Sequence, residues 1–193
     1  MKKVTFSFFL ACLTTYRITT QANQSSQTGY GLKKFCPEGY SGGLGQSGID
    51  LPIIRYAEIL LSYLEAKIED GDPIDQALLD GTINLVRERS SIGMPAITET
   101  DPVKLLEIVR HERRVELACE GIRYWDLLRW HIADSVLNGV FYGAPYPGAK
   151  KTRKAPDGHT DLYSRWYVTQ KHFRMQDYQW PIPQSEVNIN PKS

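Results

Sequence analysis

Nowhere in the 193 residues does an unbroken apolar run approach the roughly 20 positions a helix needs to cross a bilayer, so the sequence offers no membrane-spanning helix. An excess of charge of one sign is lacking too. The 23 basic and 22 acidic side chains leave a net charge of +1, which gives no electrostatic footprint for nucleic acid. The one basic run, Lys150 to Lys154, reads as a solvated loop. Cysteine is scarce, and Cys12, Cys36 and Cys119 form neither an even disulfide set nor a metal-ligand spacing. Cys119 falls in an apolar helical pattern and is expected to be packed. What is present, 41% hydrophobic and 23% charged residues, suffices for one compact domain with a core.

The amino terminus admits two readings. Met1-Lys2-Lys3 followed by VTFSFFLAC supplies a positive region, a short apolar stretch, and Cys12 where a bacterial lipoprotein would be acylated. Alternatively Met1 is an internal start in a longer frame and Val4 to Leu13 is a buried strand. Residues 14–50 are polar and rich in glycine, which predicts loop with a short strand around Tyr30 to Phe35.

A helical pattern begins at Asp50, a candidate cap before Pro52. Ile53, Ile54, Ala57, Leu60, Leu61, Leu64 and Ile68 recur at helical spacing and predict one buried face up to about Asp70. Gly71 closes this helix and Asp72-Pro73 opens the next. So short a connection demands an antiparallel hairpin, with Ala77, Leu78, Ile83, Leu85 and Val86 packed against the first helix. Asp101-Pro102 repeats the opening device for a third helix to about Cys119. A fourth follows from Arg123 to about Asn138, carrying Tyr124, Leu127, Leu128, Ile132 and Val136. Beyond Gly139 the pattern dissolves. Short strands are expected near Tyr163 to Thr169 and Lys171 to Met175, and the final WPIPQSEVNINP is expected to be extended or turn-like.

Candidate chemistry concentrates in HERRVELACEGIRYWDLLRW, His111 to Trp130. Glu112 interrupts the apolar face formed by Leu105, Ile108, Val115 and Cys119, and Arg113 follows Leu106 and Val109. Charges in such positions must be paired, because isolated buried ions are too costly. The expected outcome is a structural ion network of Arg55, Glu58, Glu112, Arg113, Glu116, Glu120, Arg123, Asp126 and Arg129, with Glu65, Arg87 and Arg89 as further partners. Glu112→Ala is then expected to cost about 3–5 kcal/mol. Glu112 and Glu116 could instead be an acid–base pair, but so many arginines nearby favour carboxylates locked in the ionised form. His111-Glu112 starts an HExxH zinc pattern, and Val115 stands where the second histidine is required. Gly39-Tyr40-Ser41-Gly42-Gly43 matches the G-x-S-x-G elbow of serine hydrolases, with His111, His131, His159 and His172 as possible bases. Its flanks, Lys33-Lys34 and Pro37 before and a glycine-rich loop after, do not supply the strand and helix the elbow needs. No motif calls for a metal or cofactor.

The tail is rich in aromatics: Tyr142, Tyr146, Tyr163, Trp166, Tyr167, Phe173, Tyr178 and Trp180. Such rings can stack on sugars, yet a loop-rich tail also needs them for its core. Trp180 is expected to be core, and Tyr146 and Trp166 stay open.

Five blocks in order resemble the SusD/RagB family of outer-membrane nutrient-uptake proteins: TGYGLKKF, DLPIIRYAEILLSYLEAKIEDG, INLVRERSSIGMP, ERRVELACEGIRYWDLLRW and WPIPQSEVNINP. The resemblance spans residues 28–193 as the carboxyl-terminal part of that fold, with 1–27 as a leader-like or mis-started segment. It implies a mostly α fold: a tetratricopeptide-like helical hairpin plus two further helices, loop-rich ends and a few short strands. It also implies a non-catalytic, cell-surface lipoprotein of the outer membrane, which passes an oligosaccharide or peptide nutrient to a SusC-like TonB-dependent barrel. Family members are much longer, so no ligand-binding residue is carried over. The rival readings are a helical-repeat scaffold for another protein, and a serine hydrolase using Ser41.

Overall fold

The computed structural model describes residues 34–35, 52–89, 93–145 and 165–189. These fall into two compact units, the first holding the described residues up to Arg123 and the second those from Tyr124 onward. The chain is mostly α-helical.

In the first unit, α1 spans Tyr56–Glu69, α2 Gln76–Asp80, α3 Ile83–Arg87 and α4 Pro102–Glu116. Helix α1 starts five residues later than a cap at Asp50 predicts. Arg55 is its N-cap, in an extended conformation, and Ile53 and Ile54 lie exposed before it, Ile53 at 96%. Asp75, not Asp72, caps the second helix by accepting from the Leu78 N–H at 2.8 Å. That helix is split at Gly81-Thr82 into α2 and α3. The break changes the phase of the pattern, so Leu79, Ile83 and Val86 are buried whereas Ala77 and Leu85 are exposed.

Helix α4 opens as its sequence dictates. Pro102 occupies the first turn, and the Asp101 carboxylate accepts from the Lys104 N–H at 3.0 Å. It buries Leu105, Val109 and Arg113, one residue every four, and ends at Glu116. Cys119 (φ +65) and Gly121 (φ +83) then take left-handed conformations. The early end turns Cys119 outward, so its thiol is exposed rather than packed. The core of this unit joins Ala57, Leu60, Leu61, Leu64 and Ile68 of α1 to Leu79, Ile83 and Val86 of the α2–α3 arm and to Leu105 and Val109 of α4. Asn84 is fully buried within it and satisfied on both sides. Its amide donates to Asp80 (2.7 Å) and the Ile97 carbonyl (3.0 Å), and its oxygen accepts from the Ile97 N–H (2.7 Å).

Helix α5, Ile122–Arg129, begins at the end of the first unit and continues into the second. The helix expected to reach Asn138 breaks at His131 (φ +52), and α6 covers Ala133–Val136. Tyr124 and Val136, expected on a buried face, are exposed, while Leu127, Trp130 and Ala133 are buried. Strands β1 (Gly139–Pro145) and β2 (Arg165–Lys171) form an antiparallel pair running from Gly139 opposite Lys171 to Pro145 opposite Arg165, with two irregularities. Lys171 to Met175 is therefore not a second strand. A 3-10 turn at Met175–Tyr178 and a helix α7 at Gln184–Ile189 follow, the latter in a stretch expected to be extended. Trp180, expected in the core, is 75% exposed. Tyr178 is held instead: its hydroxyl donates to Asp134 at 2.7 Å, and its ring meets Phe173 edge to face at 5.0 Å.

Candidate functional site

The polar centre of the first unit gathers where α4 ends. The last carbonyls of a helix have no intrahelical donors and carry the negative end of its dipole. Here two cations meet them. Arg55 Nη2 donates to the Glu116 carbonyl at 2.5 Å, while Lys34 Nζ donates to the carbonyls of Glu116 (2.7 Å) and Ala118 (3.1 Å). The same cations hold the carboxylates that follow. Arg55 grips Glu120 through Nε (2.6 Å) and Nη2 (2.8 Å), and Glu116 through Nη1 (2.6 Å). Lys34 also donates to Glu120, and Arg89 donates to Glu116 at 2.5 Å. Three cations thus face two carboxylates and a helix end, all in largely buried positions except Arg89.

These contacts fix the ionisation of the cluster. Burial pushes the Glu120 carboxyl up, but hydrogen bonds and charge from Arg55 and Lys34 outweigh it and leave its pKa below the usual carboxylate value. Burial likewise acts to lower the pKa of Arg55, and Glu120 and Glu116 raise it further above its ordinary value. The arrangement is a clamp of ion pairs and helix-end carbonyls, which suits a structural role.

Further along α4, Glu112 accepts from Arg87 Nη1 at 2.5 Å, and Arg87 Nε donates to the Pro95 carbonyl at 2.9 Å. Arg113 lies deepest. Its side chain, 4% exposed, sits 3.6 Å from the Glu65 carboxylate, itself 3% exposed, and donates to Ser62 Oγ at 2.8 Å. Glu58 is half-buried and makes no ion pair with a described residue. Buried Asp126 accepts from Arg129 at 2.9 Å within α5, and Arg123 is half-buried and engaged. The structure therefore brings Arg55, Glu116 and Glu120 together and sets Glu112, Arg113 and Asp126 in separate pairs. Lys34, Ser62 and Asn84 are polar members the sequence reading did not single out. Asn84 carries a usable signal, a lone amide between Ile83 and Leu85.

Ser41, Cys12 and the Lys150–Lys154 run lie outside the described residues, as do Tyr146 and the Trp166 side chain. His111 is exposed. Among the described residues no group of three or more His, Cys, Asp or Glu is placed to hold a metal ion, and no helix is long and apolar enough to cross a membrane.

A helical hairpin of tetratricopeptide type, closed by a third helix whose end is clamped by cations, defines a mostly helical repeat-like protein. The chain belongs to the SusD family, whose model it matches over residues 13–192. Its fold is similar to that of a SusD-like carbohydrate-binding protein from Bacteroides fragilis, with a TM-score of 0.71 and 48% identity over 86% of this chain and 33% of that one. A SusD-like protein of Bacteroides ovatus is 26% identical over 75% of this chain and 29% of its own length. SusD-like protein P38 of Formosa agariphila is 33% identical over 46% of this chain and 18% of its own. The chain thus spans no more than about a third of the length of these relatives.

Proposed function

We propose that the chain is the carboxyl-terminal part of a non-catalytic protein that binds an oligosaccharide nutrient and works with a SusC-like TonB-dependent outer-membrane transporter. Membership of the SusD family over nearly the whole chain carries this reading, and the likeness to a SusD-like carbohydrate-binding protein directs it to glycans. The ion-paired clamp at the end of α4 supports a scaffold rather than a proton-transfer site. In this reading the protein sits at the cell surface, associated with the outer membrane. It acts as a cover at the barrel mouth, and its ligand shifts the pair towards a closed state by the difference in affinity between the two states.

The test is calorimetric titration of the chain with a panel of oligosaccharides, together with co-purification of a SusC-like transporter co-expressed with it. Saturable glycan binding without release of new reducing ends, and a transporter complex, are expected. Turnover of a glycan, or labelling by a serine-reactive phosphonate that disappears in Ser41→Ala, would move the protein to the enzymes. Absence of both glycan and transporter binding would leave a scaffold for another protein.

A further inference from the structure

In the second unit, the segment from Phe173 to Tyr178 is tied to α6 by the bond between Tyr178 and Asp134 and, at its start, by one asparagine. Asn138, the residue before β1, donates from Nδ2 to the Phe173 carbonyl at 2.9 Å, and its Oδ1 accepts from the Phe173 N–H at 2.6 Å. The side-chain amide thereby imitates a backbone pair just beyond the end of the sheet, where Gly139 stands opposite Lys171. The second Nδ2 hydrogen goes to the Asp134 carbonyl of α6 at 2.6 Å. Both polar atoms of the amide are engaged, and its orientation is fixed, since only the nitrogen can face two carbonyl oxygens.

Of the five asparagines in the sequence, Asn138 alone precedes a glycine. That pair of residues is chemically labile, because the following backbone nitrogen can attack the side-chain carbonyl carbon and glycine has no Cβ to obstruct it. A bond forms from the Gly139 nitrogen to Asn138 Cγ as the bond from Cγ to Nδ2 breaks. The Gly139 amide proton passes through water to the departing nitrogen, which leaves as ammonia. Water then opens the cyclic imide at either carbonyl, giving aspartate or, with the chain rerouted through Cγ, isoaspartate. Neither product can restore the latch. A carboxylate has no hydrogen to donate, so its oxygens would confront the Phe173 and Asp134 carbonyls that Nδ2 now serves. While the latch is closed the amide is held on Phe173 and Asp134, so reaction has to await local opening. We infer that Asn138-Gly139 is a modification site, where spontaneous loss of the Asn138 amide permanently unlatches the Phe173 end of this segment from α6 and β1. The inference uses the geometry of the second unit alone and is independent of the nutrient-binding reading.

The experiment incubates the full chain at mildly alkaline pH beside a peptide of residues 132–144. Amide loss at Asn138 is followed by peptide mass spectrometry, and the rerouted product by labelling with an isoaspartyl methyltransferase. Conversion in the folded chain is expected to be about 10–1,000-fold slower than in the peptide, the range that three net hydrogen bonds allow, and to quicken in urea below the unfolding midpoint. The converted chain, separated by anion exchange through its added negative charge, should exchange the Phe173 amide hydrogen about tenfold faster than the parent or more. A folded chain that converts as fast as the peptide overturns the latch. A peptide that does not convert, or a chain that stays intact in urea while the peptide converts, overturns the reactivity. Unchanged exchange at Phe173 after conversion overturns the coupling, and any one of these results sinks the inference.

Discussion

Replacing Arg113 by Met removes a guanidinium from between α1 and α4 and leaves the Glu65 carboxylate behind at 3% exposure. Breaking a buried pair from one side costs about 3–5 kcal/mol, because the surviving charge stays desolvated and has lost its facing cation. The hydrogen bond to Ser62 Oγ at 2.8 Å accounts for about 1 kcal/mol of that. Against a total stability of roughly 5–15 kcal/mol, the single variant loses a large share of its folding free energy. Replacing Glu65 by Leu at the same time removes the remaining buried charge of the pair, and the double variant should return to within about 2 kcal/mol of the parent or exceed it. Urea unfolding followed by far-UV circular dichroism, with Arg113→Met, Glu65→Leu and the pair, completes the cycle. A loss below about 1 kcal/mol in Arg113→Met, with additive singles, would mean that the guanidinium is solvated and would refute the reasoning.

Glu112→Ala should cost about 1–3 kcal/mol, less than its sequence position suggests, because Arg87 keeps its bond to the Pro95 carbonyl and reaches solvent at the edge; urea midpoints decide between the two magnitudes. Glu120 is held below its ordinary pKa, so the unfolded chain binds more protons and stability falls with decreasing pH. The Glu120 contribution is full above its unfolded pKa of about 4.3 and is lost as pH drops through the lower folded value. Glu120→Gln should flatten the stability profile between about pH 5 and pH 3, and an unchanged slope counts against the clamp. Gly121→Ala puts a side chain at φ +83 with nothing within 4 Å of the new Cβ, so it should lose only the backbone penalty of about 1–2 kcal/mol; a larger loss by thermal melting would point to a clash.

Where local chemistry decides the structure, the sequence was sufficient. The Asp101-Pro102 opening of α4, the apolar repeat of α1 and the close of α1 at Gly71 depend on neighbours a few residues away. The misplacements have non-local causes. Arg55 caps α1 in an extended conformation and reaches residues 61 and 65 positions away, a tie invisible to a helical pattern that continues back to Ile53. The split at Gly81-Thr82 exposes Ala77 and Leu85 and buries Leu79, while Ile83 and Val86 are buried as expected. Strand β1, read as a loop, is the glycine- and proline-containing GVFYGAP, paired with a strand more than 20 residues away. Of the charged positions, the segment from His111 onward was legible as a concentration of ions. Which ion went deepest was not, because burial follows the Leu105, Val109, Arg113 row and that row is chosen by the facing helix.

The ions along α4 fall in an order that suggests what they do together. Arg55 at the start of α1 meets Glu116 and Glu120 at the end of α4, Ser62 and Glu65 in the middle meet Arg113, and Glu69 near the end meets Arg110. As the numbers rise along α1 they fall along α4, so the two helices run antiparallel and the pairs are successive rungs. An apolar interface of Leu and Val tolerates sliding by a turn, about 5.4 Å, with modest loss of buried area. The rungs tolerate it less, because a one-turn shift takes Arg55 away from Glu116 and Glu120 and Arg113 away from Ser62. Each rung adds little net stability once desolvation is counted. Their combined effect is on the alternatives: they favour the observed register, and so hold the α1–α4 packing that positions the clamp.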